Sequence, residues 1–348
     1  MLRLPRHSER WLPGYLASRM RAAAGGARLG PPSRLWVGIA DHFEPYWRLP
    51  GDETALARVR RWRDQWPAIA SSHADSAGRR PVYTFFYPQE EYRPQLLDLL
   101  AELAQEGFAE VEVHIHHDGE GRQDFLDRMH GFLEALHLRH GLLRRVNGRI
   151  LFGFIHGNWA LDNSLPGGRW CGLNDEITLL RDLGCYADFT MPSGNSPTQA
   201  RLVNAIYWAV DDPGRPQSYD KGVIVKQGAP GQGDLLMIPG PLGLRWRDRL
   251  LPRLETGELA SYDPPTAYRV CRWLDLAPRV GADLFLKLYA HGAQEAHMEA
   301  LLGGGLDTLF RALAVETRRR GLELQYVSAW DMYRAVIAAA MAQSNMGS

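Results

Sequence analysis

The stretch EVEVHIHHDGEG, residues 110–121, places three histidines and an aspartate where a predicted strand gives way to a glycine-containing loop. Alternate side chains of a strand share one face, so this strand is predicted to have an apolar face and a polar face. The apolar face carries Val111, Val113 and Ile115, and the polar face carries Glu112, His114 and His116. Imidazole and carboxylate groups are preferred ligands of zinc and similar divalent metals. The stretch therefore predicts a metal site in a cleft at the end of this strand.

The composition predicts an ordinary globular protein. The chain has 348 residues, of which 45% are hydrophobic, and this is ample for a buried core. Its 40 basic and 40 acidic residues give a net charge of zero, which argues against binding to nucleic acid through a global field.

The spacing of the cysteines and the length of the apolar runs indicate the cellular compartment of the protein. Cys171, Cys185 and Cys271 are widely spaced and form no paired-cysteine motif, which argues against a disulfide framework or a thiolate metal site. A reducing compartment fits this pattern. The chain has neither the apolar run of a signal peptide nor one of transmembrane length, so we predict a cytoplasmic protein.

The chain is predicted to consist of an arm, one domain and a short tail. Residues 1–33 form an arginine-rich arm, residues 34–342 form the domain and residues 343–348 form a disordered tail. The arm could lie on an anionic membrane at its inner face, or it could pack on the domain. Pro13 and Gly14 favour packing because they interrupt the amphipathic pattern.

Strand and helix patterns alternate through the domain. Besides the histidine strand, strands are predicted at 34–40, 82–87, 149–155, 186–193, 222–226, 234–238, 284–289 and 323–327. Helices are predicted at 54–70, 91–107, 122–139, 175–185, 264–277, 306–320 and 329–342. This alternation predicts an α/β fold with a parallel sheet, closed or open, whose strand C-termini carry the chemistry.

Polar side chains collect at five of these strand ends. They are Asp41 and His42; His114, His116 and Asp118; His156, Asn158 and Trp159; Asp188; and His291. The carboxyl ends of parallel strands meet at one edge of a sheet. We therefore expect these groups to converge on a single functional site.

The order of these motifs resembles that of the NodB-type polysaccharide deacetylases, which are metal-dependent carbohydrate esterases. The likeness covers about residues 34–335. It is carried by ADHF (40–43), TFF (84–86), EVEVHIHHD (110–118), LGCYADFTMP (183–192) and LKLYAHG (286–292). The resemblance implies a distorted (β/α)7-type barrel. It also implies removal of an acetyl group from an N-acetylated sugar of a polysaccharide, an oligosaccharide or a lipid-linked precursor, as in exopolysaccharide biosynthesis.

The resemblance also implies roles for individual residues. Asp41 and His114 would bind a divalent metal, Zn²⁺ first with Ni²⁺ or Co²⁺ as alternatives, and His291 would be the general acid. The family usually has a histidine four residues after the position of His114, where this chain has Asp118. His116 is the competing candidate for this third ligand.

The catalytic base departs from the family pattern. The family has an aspartate just upstream of its metal-binding aspartate, but here that place is held by Ala40 or Gly38. Glu44, His42 or an unligated Asp118 could substitute.

The remaining strand-end residues are predicted to position other site groups or to bind substrate. Asp188 would orient His291 or another site group, or else would cap a turn in its own segment. His42, His156, Asn158 and Trp159 are candidates for substrate binding, and Trp159 could stack on a sugar face.

Three other functions remain compatible with these residues. A metal-independent glycoside hydrolase could pair Asp41 with Asp118 or Glu44 across the substrate. A catalytically inactive glycan-binding protein of a polysaccharide biosynthesis system would explain the missing base. A metal-dependent phosphoesterase would have to recruit Arg169 and Arg245. Measured metal content would separate the glycoside hydrolase from the deacetylase. Glycan binding without turnover would identify the inactive binding protein.

Overall fold

The computed structural model describes residues 6–247 and 251–342, and this part of the chain contains fifteen β-strands and nine α-helices. The strands are β1 (Arg34–His42), β2 (Tyr83–Pro88), β3 (Ala109–Ile115), β4 (Arg144–Val146), β5 (Arg149–His156), β6 (Cys185–Asp188), β7 (Tyr207–Ala209), β8 (Gly222–Ile224), β9 (Leu235–Met237), β10 (Gly243–Arg247), β11 (Leu251–Glu255), β12 (Glu258–Leu259), β13 (Arg279–Val280), β14 (Asp283–Ala290) and β15 (Glu323–Tyr326). The helices are α1 (Ser8–Leu29), α2 (Asp52–Ser71), α3 (Pro94–Gln105), α4 (Arg122–Glu134), α5 (Glu176–Leu183), α6 (Ala267–Leu276), α7 (Glu295–Ala300), α8 (Leu306–Arg320) and α9 (Ala329–Met341).

Thirteen of the strands form one large, mostly parallel sheet. The strand order is β12-β14-β1-β2-β3-β5-β6-β9-β7-β8, and β13, β15 and β4 pair off this path with β14, β1 and β5. The run from β14 through β9 is parallel, whereas β7 is antiparallel to both β8 and β9. In the described residues no pairing joins β8 to β12. The fold is therefore α/β with a large mixed sheet, and a closed barrel of the deacetylase type stays a prediction.

An apolar layer covers each face of the sheet. On one face, here called the outer face, Leu35, Val37 and Ile39 of β1 pack in a cluster with residues of α2, α3, α4, α5 and α8. On the opposite face, here called the inner face, Ala40 packs in a second cluster with residues of α9 such as Met332. Because successive side chains of a strand alternate between these layers, a residue's position in the strand determines which face it occupies.

Local sequence signals set several element boundaries. The Oγ1 atom of Thr266 accepts a hydrogen bond from the backbone N of Arg269 and caps α6, and Ser328 caps α9 in the same way through Asp331. Gly184 ends α5 with a φ of 106°, and a Cβ atom there would lie 2.3 Å from the backbone O of Ile150. Only glycine permits so tight a return from helix to sheet at this point.

Most of the predicted elements are observed, with shifted ends. The strand predicted at 186–193 ends at Asp188, and the helix predicted at 122–139 leaves α-geometry after Glu134 and continues as a π-helical segment, Ala135–Arg139. The sequence patterns did not predict the antiparallel hairpin β10–β11. The predicted tail at 343–348 lies outside the described residues.

Residues Ser8–Leu29 of the N-terminal arm form α1. Trp11 on this helix is fully buried and clusters with Val203 and Leu242 of the domain, so this part of the arm packs on the domain. The described helices include none that is long and apolar enough to cross a membrane.

The turn after β14 provides a test of the packing. Trp62 of α2 is fully buried, and its Nε1 donates to the backbone O of Gly292 over 2.8 Å. Trp62→Phe would leave this buried carbonyl without its donor, so we expect the free energy of unfolding to fall by about 1–3 kcal/mol in urea denaturation. Trp246→Phe, at a tryptophan that is 56% exposed, is the control and should change it by less than about 0.5 kcal/mol. Equal stability of the two variants would contradict this packing role.

Candidate metal centre

Three buried side chains converge on the inner face at the carboxyl end of the sheet. His42 is the last residue of β1, Glu44 follows two residues later, and His114 lies near the end of β3. One potential ligand atom from each lies within 4.8 Å of the others. Their exposed fractions are 3%, 8% and 0%. We call His42, Glu44 and His114 the inner group.

The alternation of side chains explains why His42, rather than Asp41, joins His114. Strand β1 runs through both residues, so Asp41 follows the outward-facing Ile39 and His42 follows the inward-facing Ala40. On β3, Val113 and Ile115 belong to the outer cluster, which turns His114 inward. Parallel pairing of β1 with β2 and of β2 with β3 brings the two strand ends to the same edge.

The contacts of the inner group direct its ligand atoms towards a common point. The Nδ1 atom of His114 lies 2.8 Å from the backbone O of Ile155, and because a carbonyl only accepts, this nitrogen carries a proton. The other ring nitrogen, Nε2, faces Oε1 of Glu44 over 3.4 Å. The Nε2 atom of His42 is buried without a hydrogen-bond partner. A bound cation would satisfy all three atoms.

The electrostatics of the inner group also suit a metal. Burial acts to raise the pKa of Glu44, but hydrogen bonds from His114 and His116 outweigh burial and hold this pKa well below its ordinary value. Burial, with neighbouring His291 and His114, lowers the pKa of His42 well below its ordinary value. An ionised carboxylate and a neutral imidazole are the forms in which these side chains bind metals.

His116 borders the inner group on its more exposed side. Its Nδ1 atom is hydrogen-bonded to Glu90, and its Nε2 atom lies 3.5 Å from Oε1 of Glu44. Burial acts to lower the pKa of His116, but the two glutamates outweigh it and raise this pKa to about 10. The side chain is 30% exposed, so it lies between the inner group and solvent.

His291 and Trp159 also border the inner group, and both are partly buried. The ring centre of His291 lies 4.8 Å from that of His42, and the ring centre of Trp159 lies 5.7 Å from it. Burial lowers the pKa of His291 to about 4. The imidazole is then neutral at pH 7, so His291 would have to take up a proton before it could act as a general acid.

The structure does not bring Asp41 or Asp118 into the inner group. Asp41 is fully buried, and its carboxylate accepts hydrogen bonds from the backbone N of Gly292 over 2.7 Å and from the hydroxyl of Tyr83 over 2.8 Å. Asp118 is exposed, and its Oδ1 accepts from the backbone N of Trp170. Both residues therefore have structural contacts at the positions where the sequence suggested metal ligands.

Asp188 makes the turn-capping contacts that the sequence offered as its alternative role. Its carboxylate accepts hydrogen bonds from the backbone N and from Oγ1 of Thr190. The same Oγ1 accepts from the backbone N of His156, so Asp188 fixes the chain leaving β6 against the end of β5.

A second buried group lies on the outer face, and we call it the outer group. It consists of His117, His156, Cys171 and Glu176. Here His156, a candidate for substrate binding, is fully buried. Asn158, another such candidate, is partly buried and has a left-handed φ of 53°.

Three members of the outer group, His117, Cys171 and Glu176, were not among the candidate site residues predicted from the sequence. All three cysteines are free, and the spacing of cysteines along the chain does not reveal that Cys171 lies beside two histidines. The sequence signal for a second group was the adjacent pair His116 and His117, because neighbouring side chains of an extended chain point to opposite faces. In the described residues, the inner and outer groups are the clusters that could hold a metal ion, and the metal's identity is not shown.

Comparison with known proteins found no matching family model and no match among curated proteins. The resemblance to NodB-type deacetylases therefore rests on the motifs of this chain alone.

Variants of Asp41 test whether this residue is structural or a ligand. An asparagine at position 41 can keep a hydrogen bond with both Gly292 and Tyr83. Asp41→Asn should therefore retain wild-type metal content in elemental analysis. Asp41→Ala leaves two buried donors unpaired and should cost about 1–3 kcal/mol in urea unfolding. Asp118→Ala is the control: its hydrogen bond to Trp170 is exposed to solvent, so metal content should stay unchanged and the loss of stability should be smaller than for Asp41→Ala. Loss of metal from a folded Asp41→Asn variant would instead make Asp41 a ligand.

Proposed function

We propose that this protein is a metal-dependent hydrolase that removes the acetyl group from an N-acetylated sugar, with the inner group as its metal site. The observation that carries the proposal is the convergence of two imidazoles and a carboxylate, buried and within 4.8 Å of one another, at the carboxyl end of a parallel sheet. The substrate class comes from the resemblance to NodB-type deacetylases, and the metal chemistry comes from the side chains.

The donor set of the inner group fits a catalytic metal. Catalytic zinc sites typically have three protein ligands and one open position, whereas structural sites have four protein ligands. His42, Glu44 and His114 supply three, and the partly exposed His116 and His291 border them. When bound, a divalent ion would act as a Lewis acid that polarises the amide carbonyl and makes water a stronger acid.

The residues around the inner group have distinct parts in the proposed reaction. His291 would accept a proton from the attacking water and pass it to the departing amine, which makes it both base and acid. This assignment needs no aspartate at Ala40 or Gly38. His116, held between Glu90 and Glu44, would keep the Glu44 carboxylate in place.

Asp41 and Trp62 would act as positioning residues for His291. Asp41 accepts from the backbone N of Gly292, and Trp62 donates to the backbone O of the same residue. A Cβ atom on Gly292 would lie 2.1 Å from Oδ2 of Asp41, so this position requires glycine for the close approach. The turn that carries His291 is thus held by hydrogen bonds to both backbone polar atoms of Gly292.

Trp159 is the candidate for contact with the sugar ring. Its indole lies against both His42 and His291, and its Nε1 is a donor without a hydrogen-bond partner. An aromatic face can stack on the apolar face of a sugar, and the free N–H can bind a hydroxyl group. Tyr289, which also lies near His42, is only 6% exposed and is better suited to packing.

Three histidine variants test the proposed roles. His114→Ala should lose the metal of the inner group and abolish acetate release from acetylated amino-sugar oligosaccharides. His291→Ala should keep the metal but lower kcat by about 10²–10⁴-fold, the usual contribution of general acid–base catalysis. His130→Ala, at an exposed position on α4, is the matched control and should change neither measurement.

Two results would contradict the proposal. Acetate release that persists in metal-free His114→Ala would exclude a metal mechanism at this site. If His114→Ala loses its metal but the wild type releases no acetate from such oligosaccharides, the metal site would stand and the assigned substrate class would be wrong.

A further inference from the structure

The outer group gathers four potential ligands from separate parts of the chain. His117 follows β3, His156 ends β5, Cys171 lies in the loop after β5, and Glu176 is the first residue of α5. The exposed fraction is 4% for His117 and 0% for the other three side chains. Polar groups buried this deeply require hydrogen-bond or metal partners, so each potential ligand atom should have an identifiable partner.

The Nε2 atoms of the two histidines face each other. The Nδ1 atom of His156 lies 2.6 Å from the backbone O of Gly157 and donates its proton there, which leaves Nε2 of the neutral ring as an acceptor. This Nε2 atom lies 2.9 Å from Nε2 of His117. The Nδ1 atom of His117 is buried without a hydrogen-bond partner, although Oε2 of Glu120 lies 3.3 Å from it.

Glu176 adds a carboxylate oxygen at the same point. Its Oε1 atom lies 3.1 Å from Nε2 of His117 and 3.3 Å from Nε2 of His156. Its other oxygen, Oε2, accepts a hydrogen bond of 2.6 Å from the backbone N of Asp162, which orients the carboxylate. Two imidazole nitrogens and a carboxylate oxygen therefore meet in a space that solvent does not reach, and a cation between them would contact all three.

Cys171 completes the group from the loop side. Its Sγ atom lies 3.5 Å from Oε2 of Glu176 and accepts hydrogen bonds from the backbone N atoms of Asn163 and Leu173. Burial and the neighbouring Glu176 raise the pKa of the Cys171 thiol, so a bound metal would have to displace its proton. The Cys171 backbone is itself fixed, since its O accepts from the backbone N of Gly119.

We infer that His117, His156, Cys171 and Glu176 form a second, structural metal site that takes Zn²⁺. Two imidazoles, a thiolate and a carboxylate are zinc ligands, and four protein ligands form a closed tetrahedral site with no position left for substrate. The outer group is separated from the inner group by the sheet, because it belongs to the opposite face. This inference does not depend on the proposed hydrolase activity.

Zinc at the outer group would link the loop after β5 to the ends of β3 and β5, the two strands that lead to His116 and Trp159. His117 directly follows His116, and His156 precedes Trp159 by three residues. Because His116 and Trp159 both lie beside the inner group, the outer metal would hold these two side chains in position from behind the sheet. A structural metal contributes directly to folding, so zinc should also raise the thermal stability of the protein.

Cobalt substitution provides a direct test, because thiolate ligation of Co²⁺ gives a near-ultraviolet charge-transfer band. The purified full-length protein would be stripped of metal and reconstituted with Co²⁺ or Zn²⁺ alone. We expect the band in the wild type and in His114→Ala, and its loss in Cys171→Ser. Cys185→Ser and Cys271→Ser are matched controls that should keep the band, because neither cysteine belongs to the outer group.

Zinc stoichiometry and X-ray absorption complete the test. Glu176→Gln and Cys171→Ser should each lose one zinc ion that His114→Ala retains. Zinc K-edge absorption of the wild type should show a sulfur ligand at about 2.3 Å, a measurement that does not require any variant to fold. Absence of both the thiolate band and the sulfur ligand would overturn the inference and would leave the outer group as a buried hydrogen-bond network.

Discussion

The alternation of side chains along parallel strands is the constraint on which both candidate sites depend. Strands β1, β3 and β5 end at the same edge of the sheet, and each sends successive residues to opposite faces. Asp41 and His42 therefore separate, as do His114 and Ile115, although each pair is adjacent in sequence. One edge of the sheet thus carries the inner group on one face and the outer group on the other.

The two faces have different access to solvent, and this difference underlies the roles proposed for the two groups. The inner group has three potential ligands and borders partly exposed His116, His291 and Trp159. The outer group has four potential ligands, all of them buried. The turn after β14 connects the inner group to the outer helical layer, since Trp62 and Asp41 both form hydrogen bonds with the backbone of Gly292. The position of His291 beside the inner group therefore depends on packing on the outer face.

The sequence predicted much of the fold but only part of the site. The β/α alternation and the inward direction of His114 followed from periodicity, because strands and helices leave different apolar spacings. The metal role of Asp41 came from the family resemblance, whereas the two-residue period, continued through β1 to residue 42, directs His42 to the same face as His114. Cys171 and Glu176 could not be found in this way. They lie 54 and 59 residues after His117, and loop conformation rather than periodicity brings them together.

Anomalous X-ray diffraction at the zinc edge, from crystals of the zinc-loaded protein, would show whether a metal ion binds at the inner group, between His42, Glu44 and His114. We expect an anomalous peak on the inner face, coordinated by the Nε2 atoms of His42 and His114 and by the Glu44 carboxylate. A peak bound by Asp41 or Asp118 with His114 instead, or no peak at the inner group in zinc-saturated crystals, would contradict this expectation.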